Sequence, residues 1–321
     1  MRRHRQERKG ADVATVTPNR DGVRGGARPP ERRRVVQLIL GVVLYALCQL
    51  AVTVAAVLVF AATSSGEASA TVGEVLAGDG PAPVIGFAVG AVVAIIGFLL
   101  IVRLVSRRPP RELMGPRAAP EIGWGLLIGF GIVALSMGIL GVLGVYQPHG
   151  ISLTSGILTG LMVGVGPAVV EEVFFRGFLL RLLDGWLGSW PALLITSVVF
   201  ALVHSLSSPA GPIAAVFVFL SASLILNLAY LLTRRLWLPI ALHLAFNATQ
   251  SAVFGLNVSG NESGDSLITG QLTGPDLLTG GALGGEGSVV LVAVALLTGI
   301  AMAVIAVRRG AMLPAERALV R

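Results

Sequence analysis

Charge is scarce in this chain: 13% of its 321 residues are Asp, Glu, Lys or Arg, against 54% hydrophobic, and the mean hydropathy is +0.82. A soluble domain usually carries about a quarter charged residues, so this composition cannot cover a water-facing surface. Cysteine is scarcer still. The single one, Cys48, lies inside an apolar run, which excludes a disulfide framework and any metal site that needs two thiolates. Two catalytic signatures are missing as well. Without His-Glu-x-x-His the zincin-type membrane protease pattern is absent, and without Gly-x-Gly-Asp so is the aspartyl one.

What is present is a set of hydrophobic runs. Eight can be read, at about 36–61, 83–104, 122–146, 155–180, 190–206, 212–233, 237–254 and 288–307, each near the roughly 20 residues that cross a bilayer. The expected fold is therefore all-α, a polytopic transmembrane bundle of about eight helices, in a multi-pass protein of the cell membrane. No internal repeat at a fixed period stands out.

The net charge of +7 belongs to one end of the chain. Residues 1–34 hold 11 Lys+Arg and 4 Asp+Glu, and the other 287 hold 13 of each. Such a tail could contact nucleic acid, but it has no interleaved aromatics and precedes a hydrophobic span. A disordered, basic cytoplasmic tail near anionic lipid fits better, with no nucleic-acid partner. The apolar run that follows is too long for a cleaved signal peptide.

Loop charges give the orientation. The stretches 62–82 and 255–287 contain Glu67, Glu74, Asp79, Glu262, Asp265, Asp276 and Glu286 without a Lys or Arg, and 147–154 and 207–211 carry no formal charge. Arg103, Arg107, Arg108, Arg111, Arg117, Arg181, Arg234, Arg235, Arg308 and Arg309 fall on the other side. The alternation places both termini in the cytoplasm. Trp124, Trp186, Trp190 and Trp237 all sit at cytoplasmic span ends, where an interfacial aromatic belt would lie. The segments expected are a tail at 1–34, three helices in 35–150, a core of four helices at 155–255, a flexible external loop at 256–287, and the last helix and tail at 288–321.

Few polar residues interrupt the spans. The fourth carries Gly156, Gly160 and Gly164 at four-residue spacing, then Gly166-Pro167, then Glu171-Glu172-Val-Phe-Phe-Arg176. Glycines so spaced let a neighbouring helix approach closely, and Pro167 is expected to kink the helix one turn before the acids. A charge at mid-membrane costs about 2.5–3.5 kcal/mol on insertion scales, so an ionisable group there is a functional candidate. Glu172 and Arg176, four apart, share a face and can pair. Glu171 lies about 140° around the helix from Arg176 and has no partner of its own, which suits a general base or acid. A buried ion pair holding the bundle explains Glu172 and Arg176 but leaves Glu171 over.

Two histidines also lie in spans: Phe200-Ala-Leu-Val-His204 and His243-Leu-Ala-Phe-Asn247. Phe200 and His204 share one helix face, as do His243 and Asn247. Alone, either histidine would read as a packed core residue. Two imidazoles, a carboxamide and an unpaired carboxylate on three helices can hold a water, bind a metal or stabilise an oxyanion. His4 and His149, in a tail and a loop, have no such company. Depth fits imperfectly: Glu171 and His243 fall about 10–15 Å from the cytoplasmic end of their spans and His204 about 20 Å. Tilt, or different span ends, would be needed to bring them level.

These three motifs, in this order on separate apolar helices, resemble the CPBP family, which includes CAAX prenyl endopeptidases and bacteriocin-processing or immunity-type membrane proteins. The resemblance covers about 155–255. It implies an intramembrane endopeptidase in which Glu171 activates water, His204 helps to hold it, and His243 and Asn247 stabilise the oxyanion or position the nucleophile. Glu172, Arg176 and Phe200 would support them. The family is commonly called a metalloprotease, and Glu171, His204 and His243 could supply a three-ligand zinc site; a metal-free water would use the same residues. The partners implied are the bilayer and a peptide or protein substrate, lipidated or membrane-embedded. Two other readings of the residues remain: a scaffold or immunity-type protein that keeps the polar cluster for packing, and a transporter using it as a proton relay.

Overall fold

The computed structural model describes residues 31–64, 70–208, 211–259 and 264–315. Most of the basic tail, with Glu67 and Glu262, lies outside them. In chain order the elements are α1 (Glu31–Thr63), α2 (Val72–Ala77), α3 (Pro81–Leu104), α4 (Ala118–Val142), β1 (Tyr146–Ile151) and α5 (Gly156–Glu172). A π-helical stretch, Val173–Leu180, continues α5 into α6 (Arg181–Leu187). Then come α7 (Ser189–Ser207), α8 (Pro212–Val218), a π turn at Phe219–Ser223, α9 (Leu224–Thr233), α10 (Trp237–Ala248) and a π turn at Thr249–Val253. β2 (Ile268–Leu272), α11 (Asp276–Thr279), a 3-10 stretch at Gly281–Gly287 and α12 (Val289–Arg308) complete the chain.

The result is an all-α polytopic bundle. Among the described residues, seven helices are long and apolar enough to cross a membrane: Arg33–Thr63, Pro81–Leu104, Ala118–Val142, Gly156–Leu187, Ser189–Leu206, Pro212–Thr233 and Gly281–Arg308. The remaining expected span, 237–254, is α10 with its π turn. It is shorter and lies within the bundle, packed between α4 and α5. Glycine makes that position possible. A Cβ on Gly125 of α4 would stand 2.7 Å from the Leu238 carbonyl, and one on Gly160 of α5 would stand 2.7 Å from the Ala252 backbone. The small-residue spacing seen in the sequence therefore seats the helix that carries His243 and Asn247.

Helix α5 runs unbroken through Pro167, and the irregular winding comes after the two glutamates. The helix also extends to Leu187, seven residues beyond its expected end. From Leu187 back to Glu171, and from Ser189 on to His204, the paths are nearly equal, so the two side chains come level. The end estimated for the fourth span accounts for the mismatch between Glu171 and His204; it does not bear on His243, six residues into α10.

The arginines gather at one end. Arg181 reaches Gln37 of α1 at 2.5 Å, and Arg108 and Glu112 pair in the α3–α4 connection. Arg235 binds Glu121 at 3.0 Å; Arg234 pairs with Asp184 and donates to the Ala311 carbonyl at 2.9 Å. The start of α1 and the end of α12 both lie there, as the positive-inside alternation requires. Trp124 and Trp190 face outward at 62% and 52% exposure, as belt residues would; Trp237 instead turns inward and donates to the Leu113 carbonyl at 3.1 Å.

The opposite end is more ordered than the sequence indicated. The stretch 255–287 reads from sequence as a flexible loop, and 147–154 as an uncharged connection. Instead β1 and β2 pair antiparallel, Tyr146 opposite Leu272, and Glu286 is buried at 3% exposure. Strand propensity in such Gly- and Ser-rich segments is weak, and the pairing comes from contact between two distant loops.

Candidate active site

The site forms where the end of α5, the outer half of α7 and the middle of α10 meet. Glu171 and Glu172 are neighbours in sequence but take different partners. Glu172 Oε1 accepts from Arg176 Nη1 at 2.7 Å and lies 2.9 Å from His243 Nδ1, with both Glu172 and Arg176 fully buried. Arg176 Nε donates to Asn227 Oδ1 at 2.9 Å, and Asn227 Nδ2 donates to Ser197 Oγ at 2.8 Å. The guanidinium carbon sits 4.6 Å from the centre of the Phe200 ring, within cation–π range. A buried charge pair is tolerated when further hydrogen bonds support it; here α9 and α10 supply them through Asn227 and His243, and Glu172 Oε2 has no hydrogen-bond partner among the described residues.

Glu171 turns the other way. Its Oε2 stands 3.6 Å from His204 Nε2 and has no hydrogen-bond partner among the described residues. The side chains of Glu171 and His204 are 14% and 13% exposed. The partner for Glu171 that the sequence could not supply thus comes from another helix.

Both imidazoles are oriented through Nδ1. His204 Nδ1 lies 2.9 Å from the Phe200 carbonyl, which only accepts, so Nδ1 carries the hydrogen. His243 Nδ1 faces a carboxylate oxygen that is likewise an acceptor when ionised. In each ring Nε2 is the nitrogen turned away from that contact, and in His204 it faces Glu171. Phe200 holds the two in place, its ring centre 4.2 Å from that of His204 and 6.3 Å from that of His243. Asn247 follows His243 by one turn on the same helix and is 5% exposed.

A three-ligand metal centre is not formed. Among the described residues no three His, Cys, Asp or Glu side chains come together as a metal-holding group. Glu171 and His204 are together, but His243 is drawn to Glu172, so the zinc set the sequence allowed does not fit.

Comparison with known proteins gives the same motifs a family. The family model described as Type II CAAX prenyl endopeptidase Rce1-like matches residues 153–249, the stretch from α5 to α10. A Bacillus subtilis (strain 168) protein named "Putative membrane peptidase YdiL" is 30% identical over 49% of this chain and 68% of its own length. No solved structure matches the chain. The chain belongs to the CPBP family. At family level it is an intramembrane protease.

Asn227, Gln250 and Glu286 were not singled out from the sequence. Asn227 had a usable signal, being a lone carboxamide in the apolar run 212–233. Glu286 had none, because glycines on both sides made it read as loop.

Proposed function

We propose that this CPBP member is an endopeptidase that hydrolyses a peptide bond within the membrane, with Glu171 as general base. The observation that carries the assignment is the contrast in access. The Glu171–His204 pair is partly open, whereas Glu172 and Arg176 are sealed at 0% exposure. A water and a substrate carbonyl can reach only the first.

Glu171 takes a proton from water while the oxygen attacks the carbonyl carbon, forming the C–O bond and moving the carbonyl electron pair onto oxygen. His243 Nε2–H and the Asn247 amide donate to that oxyanion as charge develops. As the C–N bond breaks, the proton held by Glu171 passes to the leaving nitrogen. His204, fixed by the Phe200 carbonyl, orients water and carboxylate. No step is assigned to a metal. A proton relay would string these groups across the bilayer; the packing of both imidazoles around the one Phe200 ring favours hydrolysis at a single site. The substrate class that fits is a peptide that is itself lipidated or membrane-embedded.

Comparative proteomics of membranes carrying the wild type or Glu171→Gln should reveal a precursor that accumulates only in the variant. Unchanged processing of a verified substrate by E171Q would overturn the assignment.

A further inference from the structure

A row of aromatic rings makes a floor beneath the Glu171–His204 pair, and α1 supplies one end of it. Tyr45 of α1 lies against Phe174 with ring centres 5.0 Å apart and meets Phe175 edge-on at 6.0 Å. Phe175 in turn meets Phe200 of α7 at 4.8 Å. The register of α1 on the continuation of α5 is set over successive turns. Gln37 binds Arg181, a Cβ on Gly41 would stand 2.8 Å from the Phe178 ring, and Tyr45 packs on Phe174. The two helices run antiparallel, so the next turn of α1 brings Gln49 opposite Val170 and level with Glu171.

One turn outward from the rings lies a polar tier. Gln49 follows Tyr45 by four residues, Glu171 precedes Phe175 by four, and His204 follows Phe200 by four, a spacing that stacks side chains on one helix face. Around its helix Glu171 falls between Phe174, packed on Tyr45, and Phe175, packed on Phe200, so its carboxylate looks out between α1 and α7. The tier is accessible where the floor is not: Gln49 is exposed and Glu171 and His204 are partly open, while Phe175 and Phe200 are fully buried. Helix α1 leans on α3 through Leu44, Cys48 and Val52, which meet Gly97 and Gly90 there, and this leaves Gln49 at the edge. A carboxamide turned outward near the middle of a membrane span finds no water to bond. A polar partner has to come from something else in the bilayer.

Resting on the peptidase reading, we infer that the substrate enters sideways from the bilayer between α1 and α7, and that Gln49 is the substrate-binding residue at this lip, its carboxamide pairing with the backbone of the segment presented to Glu171. A peptide bond within a helix is closed to attack, because its carbonyl is bonded to the N–H four residues on. Unwinding in lipid frees the carbonyl but strips N–H and C=O groups of their partners. A carboxamide both donates and accepts. Gln49 can therefore take the carbonyl and the N–H of the unwound segment together and hold it extended over the rings.

The probe is the precursor that accumulates in E171Q membranes. A photoreactive benzophenone amino acid at position 49 of full-length E171Q, illuminated in those membranes, should capture that precursor. The same group at position 47 should not, because Leu47 is 51% exposed but lies about 200° around α1 from Gln49. In lipid nanodiscs, with a synthetic peptide spanning the precursor's cleavage site, Gln49→Leu should raise KM about tenfold with kcat little changed, the loss of two ordinary hydrogen bonds to the substrate. Its melting temperature should not fall, since the new side chain faces lipid. Gln49→Met, also without an amide, should give the same rise and serves as the test variant if Q49L does not fold. Leu47→Ala should keep wild-type kinetics. A wild-type KM in a folded Q49L or Q49M, or equal capture of the precursor from positions 47 and 49, overturns the inference. Loss of cleavage in E171Q with a wild-type KM in Q49L would sink this inference alone, whereas processing indifferent to E171Q would sink the peptidase reading and this inference with it.

Discussion

Adjacent in sequence, Glu171 and Glu172 differ in the number of hydrogen bonds that hold them, and substitutions should separate the two roles. Removing one member of a buried ion pair leaves the other charged and unpartnered, at a cost of about 3–5 kcal/mol. Arg176→Ala would also strip the partner from Asn227 and the cation from the Phe200 ring. Its expected outcome is a large fall in melting temperature in detergent, with loss of folded protein. Glu171→Gln removes a carboxylate whose Oε2 has no hydrogen bond to lose among the described residues, so the protein should melt close to the wild type while its cleavage is abolished. A melting temperature for E171Q as low as that of R176A would mean that both acids are structural. At this scale much of the site was legible in the sequence. Glu172–Arg176, Phe200–His204 and His243–Asn247 are all i, i+4 pairs on a single helix, where spacing alone implies contact. The pairs Glu171–His204 and Glu172–His243 were not legible, because each joins residues on different helices.

At the scale of elements, the arrangement depends on α10 lying within the bundle. Gly125 and Gly129 of α4 meet it on one side, and Gly160 and Gly164 of α5 on the other. Introducing Ala at Gly160 puts a methyl group into the Ala252 backbone, which forces α10 outward and costs about 1–3 kcal/mol as overpacking does. Because α10 bears His243 and Asn247, cleavage should fall with stability. Gly131 of α4 is the control, with open space where its Cβ would go, so Gly131→Ala should leave both melting temperature and cleavage unchanged. A Gly160→Ala variant that behaves like G131A would show that close approach at α5 is dispensable. The four-residue glycine spacing was visible in the sequence, but which helix it receives was not. Pro167 illustrates the opposite case. Its local rule predicted a kink, yet α5 continues through it and the winding changes only from Val173.

The whole molecule is polarised, with arginines and their carboxylate partners at one end and a two-stranded sheet over the other. Alternation of loop charge was enough to find that axis from sequence, since it is a property of composition between spans. The pairing of β1 with β2 was not, because it joins residues more than 100 positions apart. The lone cysteine makes the orientation testable. Cys48 is 1% exposed in the core, so the otherwise unmodified chain should resist a membrane-impermeant maleimide on either face. Leu153 is 86% exposed just beyond β1, and Arg309 follows the end of α12 among the basic residues. In sealed cells Leu153→Cys should therefore label from outside and Arg309→Cys should not. In inverted vesicles the pattern should reverse. The same two positions flank the site along the membrane normal, so a substrate peptide carrying a maleimide at one terminus would report, by which cysteine it captures, the side from which it approaches Glu171. Labelling of Arg309→Cys from outside intact cells would invert the whole topology and place the β1–β2 sheet, with Glu286 beneath it, on the cytoplasmic side.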